Sequence, residues 1–149
     1  MVGSLNKVQA EYLLRSEMIG RLGCSWEKFT YVVPIAYVYD DNYIYGHTKN
    51  GLKIDLARKN PAVCFEVDRI DSIANWQSVI VHGELEELTG READEVLQML
   101  VNRFHPFTTS ETSVPRHGLD RPHAAIDPNI QSIVFRIHVR ELSGRYEKQ

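Results

Sequence analysis

Hydrophobic positions change their period several times along the chain. Leu5, Val8, Tyr12 and Leu13 recur at helical spacing behind Ser4, a suitable N-cap, and predict a short amphipathic helix over Leu5–Met18. From Ile19 the texture shifts to runs rich in Val, Ile, Tyr, Phe and Thr. Ile19–Cys24, Thr30–Tyr39, Asn42–Thr48, Ala62–Asp68 and Trp76–Leu88 read as strands of an antiparallel meander. The Asp40-Asp41-Asn42 turn closes one hairpin between them. Within Asn50–Asn60, Leu52 and Leu56 share a face beside Ala57, and Asn60-Pro61 ends that short helix. Thr89–Phe104 is the clearest helix, with Ala93, Val96, Leu97, Leu100, Val101 and Phe104 in one stripe and Thr89-x-x-Glu92 as a capping box. Ser132–Arg140 alternates Ile133, Phe135, Ile137 and Val139 against Arg136, His138 and Arg140, the pattern of a half-buried strand.

Six strands with few helices predict a mainly β fold, a six-stranded antiparallel barrel with flanking helices, in a single domain over residues 1–149. Between the last helix and the last strand, His105–Gln131 carries Pro106, Pro115, Pro122 and Pro128 without periodicity and reads as a long loop. Such loops are often functional or interfacial. Short antiparallel strands leave edges and a barrel mouth to cover, which favours dimerisation.

Composition narrows the classes without naming one. The 149 residues are 43% hydrophobic and 25% charged, with a formal charge of −3 and a pI near 6.1. Disorder and coiled coil are excluded, and the mild negative balance gives no general reason to bind nucleic acid, which usually calls for a basic face. The longest apolar run, Tyr31–Tyr39, has nine residues, and a membrane helix needs about 20. No secretory signal is visible at Met1–Ser4. Cys24 and Cys64, far apart in apolar runs, read as reduced core thiols of a cytoplasmic protein.

The chain lacks the dinucleotide fingerprint, the P-loop, the nucleophile elbow and the zinc-protease helix. Its informative stretch is Tyr45-Gly46-His47-Thr48-Lys49-Asn50-Gly51-Leu52-Lys53. A strand ends there in hydroxyl and basic groups, and a turn then opens a helix. The free N–H groups of a helix N-terminus seat phosphates. Lys53, Lys49 and Thr48 can add charge-assisted and hydroxyl bonds. Solvated lysines after a hairpin would leave the same residues. Pro34, inside Tyr31–Ala36, removes a ladder donor and frees neighbouring backbone to face a flat ligand, or simply marks an edge strand. Trp76 and Ser78 share one strand face with Ile80 and His82, which suits either an aromatic cofactor or plain packing. His47 shares a face with Tyr43 and Tyr45 and reads as a site residue or a structural histidine. His117 and His123 around Asp120 lack metal-ligand spacing, so no metal is expected. His82, His105 and His138 read as structural or solvated.

Together these segments resemble the FMN-binding split-barrel superfamily, the pyridoxamine 5′-phosphate oxidase-like proteins, and within it the nitroimidazole-resistance (Nim-type) group. The resemblance runs over about 19–145. It rests on Ile19-Gly20-Arg21-Leu22, Tyr31-Val32-Val33-Pro34-Ile35-Ala36-Tyr37, Ile44-Tyr45-Gly46-His47-Thr48 and Gly51-Leu52-Lys53. Asn60–Asp68, Trp76-x-Ser78-Val79-Ile80-Val81-x-Gly83, Phe135-Arg136-Ile137 and Leu142-Ser143-Gly144-Arg145 complete it. It implies a six-stranded split barrel and a homodimer with FMN at the subunit interface, the partner contributing from the long loop. Val33, Pro34 and Ile35 would line the isoalloxazine, and His47, Thr48, Lys49 and Lys53 would hold the ribityl phosphate. Trp76, Ser78 and Val79 would close the site, with His47 the candidate catalytic residue. The implied function is an FMN-dependent oxidoreductase acting on a small molecule such as a nitro compound or a pyridoxamine-phosphate-like one. The alternative is a non-catalytic flavin- or haem-binding module, with deazaflavin a third reading.

Two departures accompany the resemblance. The ending Ser143–Gln149 lacks the Arg-x-His-x-x-Arg type of terminus of true pyridoxamine phosphate oxidases, which argues against a vitamin B6 substrate. Gly46 replaces an aromatic often seen before the histidine, and is expected to open space over the flavin.

Overall fold

The computed structural model describes residues 1–105 and 132–149. The chain begins with β1 (Val2–Leu5) and α1 (Lys7–Ser16), then forms β2 (Ile19–Trp26), β3 (Phe29–Tyr39) and β4 (Tyr43–Lys49). The helix α2 (Leu52–Lys59) leads into β5 (Ala62–Ser72) and β6 (Asn75–Leu88). Last come α3 (Gly90–Phe104) and β7 (Ser132–Glu147). The sheet order is β1-β7-β4-β3-β2-β5-β6, and β6 pairs back onto β7. Six strands therefore close a split barrel, as the periodicity predicts, and β1 is appended as a seventh. One edge of β7 pairs with β6 along its length. Its other edge is shared between β4, from Ser132 to His138, and β1, from Gly144 to Glu147.

Three local expectations are corrected. Ser4 lies inside β1, and α1 is capped instead by Asn6, whose Oδ1 accepts from the Gln9 N–H at 2.8 Å while Gln9 Oε1 accepts from the Asn6 N–H at 2.9 Å. That reciprocal box satisfies two orphan donors, and the helix ends at Ser16 rather than Met18. Thr89 stands at the N-cap of α3 but makes no side-chain cap bond. Glu92 accepts from Arg136 at 3.1 Å across to β7, an ionic bond taking the place of the capping box. Cys64 is half-buried, registered with Gly23, whereas Cys24 is in the core; both thiols are free.

Leu22, Tyr37, Ile44, Phe65, Val79, Val81, Phe135 and Ile137 fill the barrel, and Ala10, Leu13 and Leu14 of α1 pack into the same cluster. Tyr37 brings a hydroxyl into this core and donates to the Leu14 carbonyl at 2.6 Å, which satisfies it. On the other side of β4, Val96, Leu100 and Phe104 of α3 pack with Tyr45, Leu88 and Val134. The Asp40-Asp41-Asn42 hairpin forms as expected: Asp40 Oδ1 accepts from the Tyr43 N–H at 2.9 Å, and Asp41 takes φ 82°. Gly46 does not open space. A Cβ there would lie 2.5 Å from Phe135 Cζ, so the buried Phe135 ring already occupies that room. Among the described residues no helix is long and apolar enough to cross a membrane.

Candidate functional site

β3 and β4 are paired only at Tyr37↔Gly46, Val38↔Tyr45 and Tyr39↔Ile44. Beyond that point they part. Val33–Ala36 continue along β2, opposite Leu22 to Ile19, while His47–Lys49 continue along β7, opposite Val134 to Ser132. On the side that faces β4, the backbone of 33–36 has no strand partner among the described residues. Pro34 lies in this segment, where a missing N–H donor costs the ladder little.

The gap is a cavity of about 280 Å³, lined by Val33, Pro34, Ile35, Ala36, His47, Thr48, Lys49, Lys53 and Leu100. Seven of the ten sequence-predicted cofactor residues meet here. Each is placed by a local cause: the first three by the strand that loses its partner, His47 to Lys49 by the strand that diverges from it. Lys53 is brought over the gap by the first turn of α2, whose N-cap, Gly51, provides no side-chain cap bond. The first N–H groups of α2 therefore keep their positive end beside the cavity.

The electrostatics favour an anion. Lys53 is half-buried, and burial holds its ammonium below the ordinary lysine range, with the Cys24 thiol acting in the opposite direction. Among the described residues neither Lys53 nor Lys49 is in an ion pair with a carboxylate. Cys24 is pushed up to about 11 by burial first and by Cys64 second, against the pull of Lys53. A thiol so raised stays protonated at neutral pH and is no nucleophile. Thr48 is buried at 5% exposure on the cavity wall.

Trp76, Ser78 and Val79 are not at this cavity. Val79 is in the barrel core with no exposed surface, so it has no face to offer a ligand. Strand alternation puts it opposite Trp76 and Ser78, which face outward. Ser78 Oγ donates to Glu66 Oε2 at 2.9 Å, and Arg21 bonds Asp68 at 3.1 Å beside it. Burial raises the Glu66 carboxyl, the Asp68 bond raises it further, and the Ser78 bond opposes both. Trp76 donates to Glu147 at 3.1 Å and lines a separate cavity of about 460 Å³ with Gln77, Tyr146 and Arg69.

One residue lining the cavity and one beside it escaped the sequence. Leu100 reaches the cavity from α3, where it reads only as part of an apolar stripe. Ser132 hydrogen-bonds His47 Nε2 through its hydroxyl, and its position next to His47 follows only from the β4–β7 register. His138 stacks on Tyr43 at 5.0 Å, and His82 is exposed on β6. His117, Asp120 and His123, and the long loop expected to complete a partner's site, lie outside the described residues.

A barrel whose β3 and β4 part in this way has known counterparts. The pyridoxamine 5′-phosphate oxidase family matches residues 7–146, and the chain belongs to that family. It is 28% identical to an FAD-binding protein of Mesorhizobium loti, covering 99% of each chain with a TM-score of 0.76. It shares its fold with a candidate 5-nitroimidazole antibiotic resistance protein of Bacteroides thetaiotaomicron, at 17% identity, covering 98% of this chain and 87% of that one, TM-score 0.70. An uncharacterised protein of Rhizobium meliloti is 31% identical over 84 residues, 56% of this chain. The match spans 56% of that relative's length.

Proposed function

We propose that the chain binds FMN in the gap between β3 and β4 and acts, as a homodimer, as a flavin-dependent oxidoreductase on a small molecule. The observation that carries this reading is Lys53, a half-buried ammonium with no carboxylate partner among the described residues, at the uncapped start of α2. A buried charge needs compensation, and a phosphate group supplies it.

The remaining residues suit FMN. Lys53, Lys49, Thr48 and the α2 N–H groups would hold the phosphate. Val33–Ala36 would present unpaired backbone groups to the edge of a flat ring, and His47 would stand at the cavity wall. Bound flavin supplies the redox chemistry, while the protein orients the substrate and limits water access. The FAD-binding relative supports a flavin and leaves FAD to be compared directly.

The dimer follows from size and from the outer sheet. A cavity of about 280 Å³ is below the roughly 300–1,000 Å³ that encloses a drug-sized ligand, so one chain alone leaves a cofactor partly open. Beside it, Ile19, Val32, Ile70 and Ile80 are 40–67% exposed on one face of β3, β2, β5 and β6. These exposed apolar side chains are interleaved with the Arg21, Glu66 and Asp68 ion cluster on the same face, and a mixed surface of that kind suits association with a second copy. The two free thiols fit a reducing compartment, and we place the protein in the cytoplasm.

Fluorescence titration with FMN and FAD in parallel, with mass measurement in solution, tests this reading. We expect one FMN per chain, two per dimer, and reduction of the bound flavin by NAD(P)H. Lys53→Ala removes a charge-assisted bond of about 1.5–3 kcal/mol, and FMN affinity falls on the order of 10- to 150-fold. A protein that takes up neither flavin refutes the proposal.

A further inference from the structure

The inward face of the barrel changes character at one end. Val67, Val79, Gly144 and Leu5 form a row across β5, β6, β7 and β1, with both valines fully buried. Two positions further along each strand, on the same face, the row reads Arg69, Gln77, Tyr146 and Gly3. Apolar packing stops there. Arg69, Gln77 and Tyr146 line the cavity of about 460 Å³, a volume within the roughly 300–1,000 Å³ of small-molecule sites. Gly3 leaves room for the Tyr146 ring, since a Cβ there would lie 2.6 Å from its Cζ. This cavity shares no lining residue with the β3–β4 gap.

Charges of both signs meet at this cavity without cancelling each other. Arg69 donates from Nε to Glu17 Oε1 at 2.7 Å and from Nη2 to Ser16 Oγ at 2.9 Å, which fixes its guanidinium against the end of α1. Its Nη1 has no partner among the described residues. Asp71, two positions further along β5, lines the same cavity and is not paired with Arg69. We infer that this cavity is a second ligand site, for a small zwitterion of the α-amino-acid class. Arg69 donates to the carboxylate of such a ligand, and Asp71 accepts from its ammonium. An α-amino acid carries both groups on one carbon, so a cation and an anion two positions apart can bracket it. A simple anion would meet Asp71 and Glu147, and a simple cation would meet Arg69 and Lys148, each with repulsion. Gln77 supplies a further donor and acceptor, and the Tyr146 and Trp76 rings offer apolar surface for the ligand's side chain. The inference is independent of flavin binding.

Three matched probes test it: L-phenylalanine, 3-phenylpropionate, which lacks the ammonium, and 2-phenylethylamine, which lacks the carboxylate. Each is titrated into ¹⁵N-labelled full-length chain, with and without FMN, and followed by ¹H–¹⁵N NMR. The reporter is the Trp76 indole N–H, which donates to Glu147 at the cavity rim and is assigned with Trp76→Phe. We expect a saturating shift with L-phenylalanine at a Kd of about 1 mM or below. The two analogues should bind about 2- to 5-fold more weakly, the size of one exposed ionic contact. Asp71→Asn should weaken L-phenylalanine by that factor and leave 3-phenylpropionate no weaker. Arg69→Gln should weaken both, and because it also loses the bonds to α1, Asp71→Asn carries the test should that variant fail to fold. No saturable shift at about 10 mM L-phenylalanine, or equal affinity for all three probes, overturns the inference. A response that disappears when FMN is added also overturns it, because the two ligands would then share one site. Saturation in a protein that takes up no flavin upholds this site and overturns the flavin reading alone.

Discussion

The β6–β7 seam and the β3–β4 gap belong to one barrel and differ in a single respect, whether neighbouring strands stay together. β6 and β7 remain in register from Trp76↔Glu147 to Leu88↔Val134, with one shift at His82/Gly83. β3 and β4 part after Tyr37↔Gly46. Along the seam Val79, Val81, Leu85, Phe135 and Ile137 turn into the core, and the approach is tight: a Cβ on Gly83 would lie 1.9 Å from the His138 carbonyl oxygen. At the gap stand Lys53, Thr48, His47 and unpaired backbone. Polar groups are tolerated where the ladder is interrupted because they line an opening there, whereas inside the seam they would be desolvated without partners. In this fold, stability and binding chemistry are divided between two stretches of the same sheet.

That division is open to a direct attack from the sealed side. Phe135 is fully buried and stacked over Gly46. Phe135→Ala should cost about 3–5 kcal/mol, the largest effect we expect, read as a drop in the denaturation midpoint. Lys53→Ala, at the gap, should leave that midpoint within about 0.5 kcal/mol while weakening FMN binding as stated above. A large stability loss in Lys53→Ala, or an unchanged midpoint in Phe135→Ala, would erase the contrast.

The sequence makes the sealed side the more legible one. Alternation in Ser132–Arg140 and in Trp76–Leu88 marks the ring strands directly, because burial on one face imposes a period of two. The short β1 is not legible: Val-Gly-Ser-Leu alternates too briefly, and its strand character comes from pairing with the end of β7. At the gap, the residues adjacent in sequence are readable, from Val33 to Ile35 and from His47 to Lys53. Ser132 is not, because its neighbour is set by register across a long separation. Alternation itself separates Val79 from Trp76 and Ser78, so a wall made of all three conflicts with the strand that carries them. A motif matched in order along a chain says nothing about which face each residue takes.

The smallest effect lies on the outer face, between seam and gap. Glu66 is packed among Asp68, Arg21 and Ser78, and burial with the Asp68 bond raises its carboxyl above the usual range. A raised carboxyl holds its proton more firmly in the folded chain than in the unfolded one. Folding then binds a proton between the two titration ranges, so this group's contribution is full in acid and is lost as pH rises through its folded range. Glu66→Gln keeps the shape and removes the titration. The midpoint of the native protein, taken relative to Glu66→Gln, should therefore fall by a few degrees at most between pH 4 and pH 7, as thermal scans at matched ionic strength would record. A difference that stays flat, or that rises with pH, would mean that Arg21 outweighs burial and Asp68 at this position. The outer face would then be electrostatically settled before any second copy packs against it.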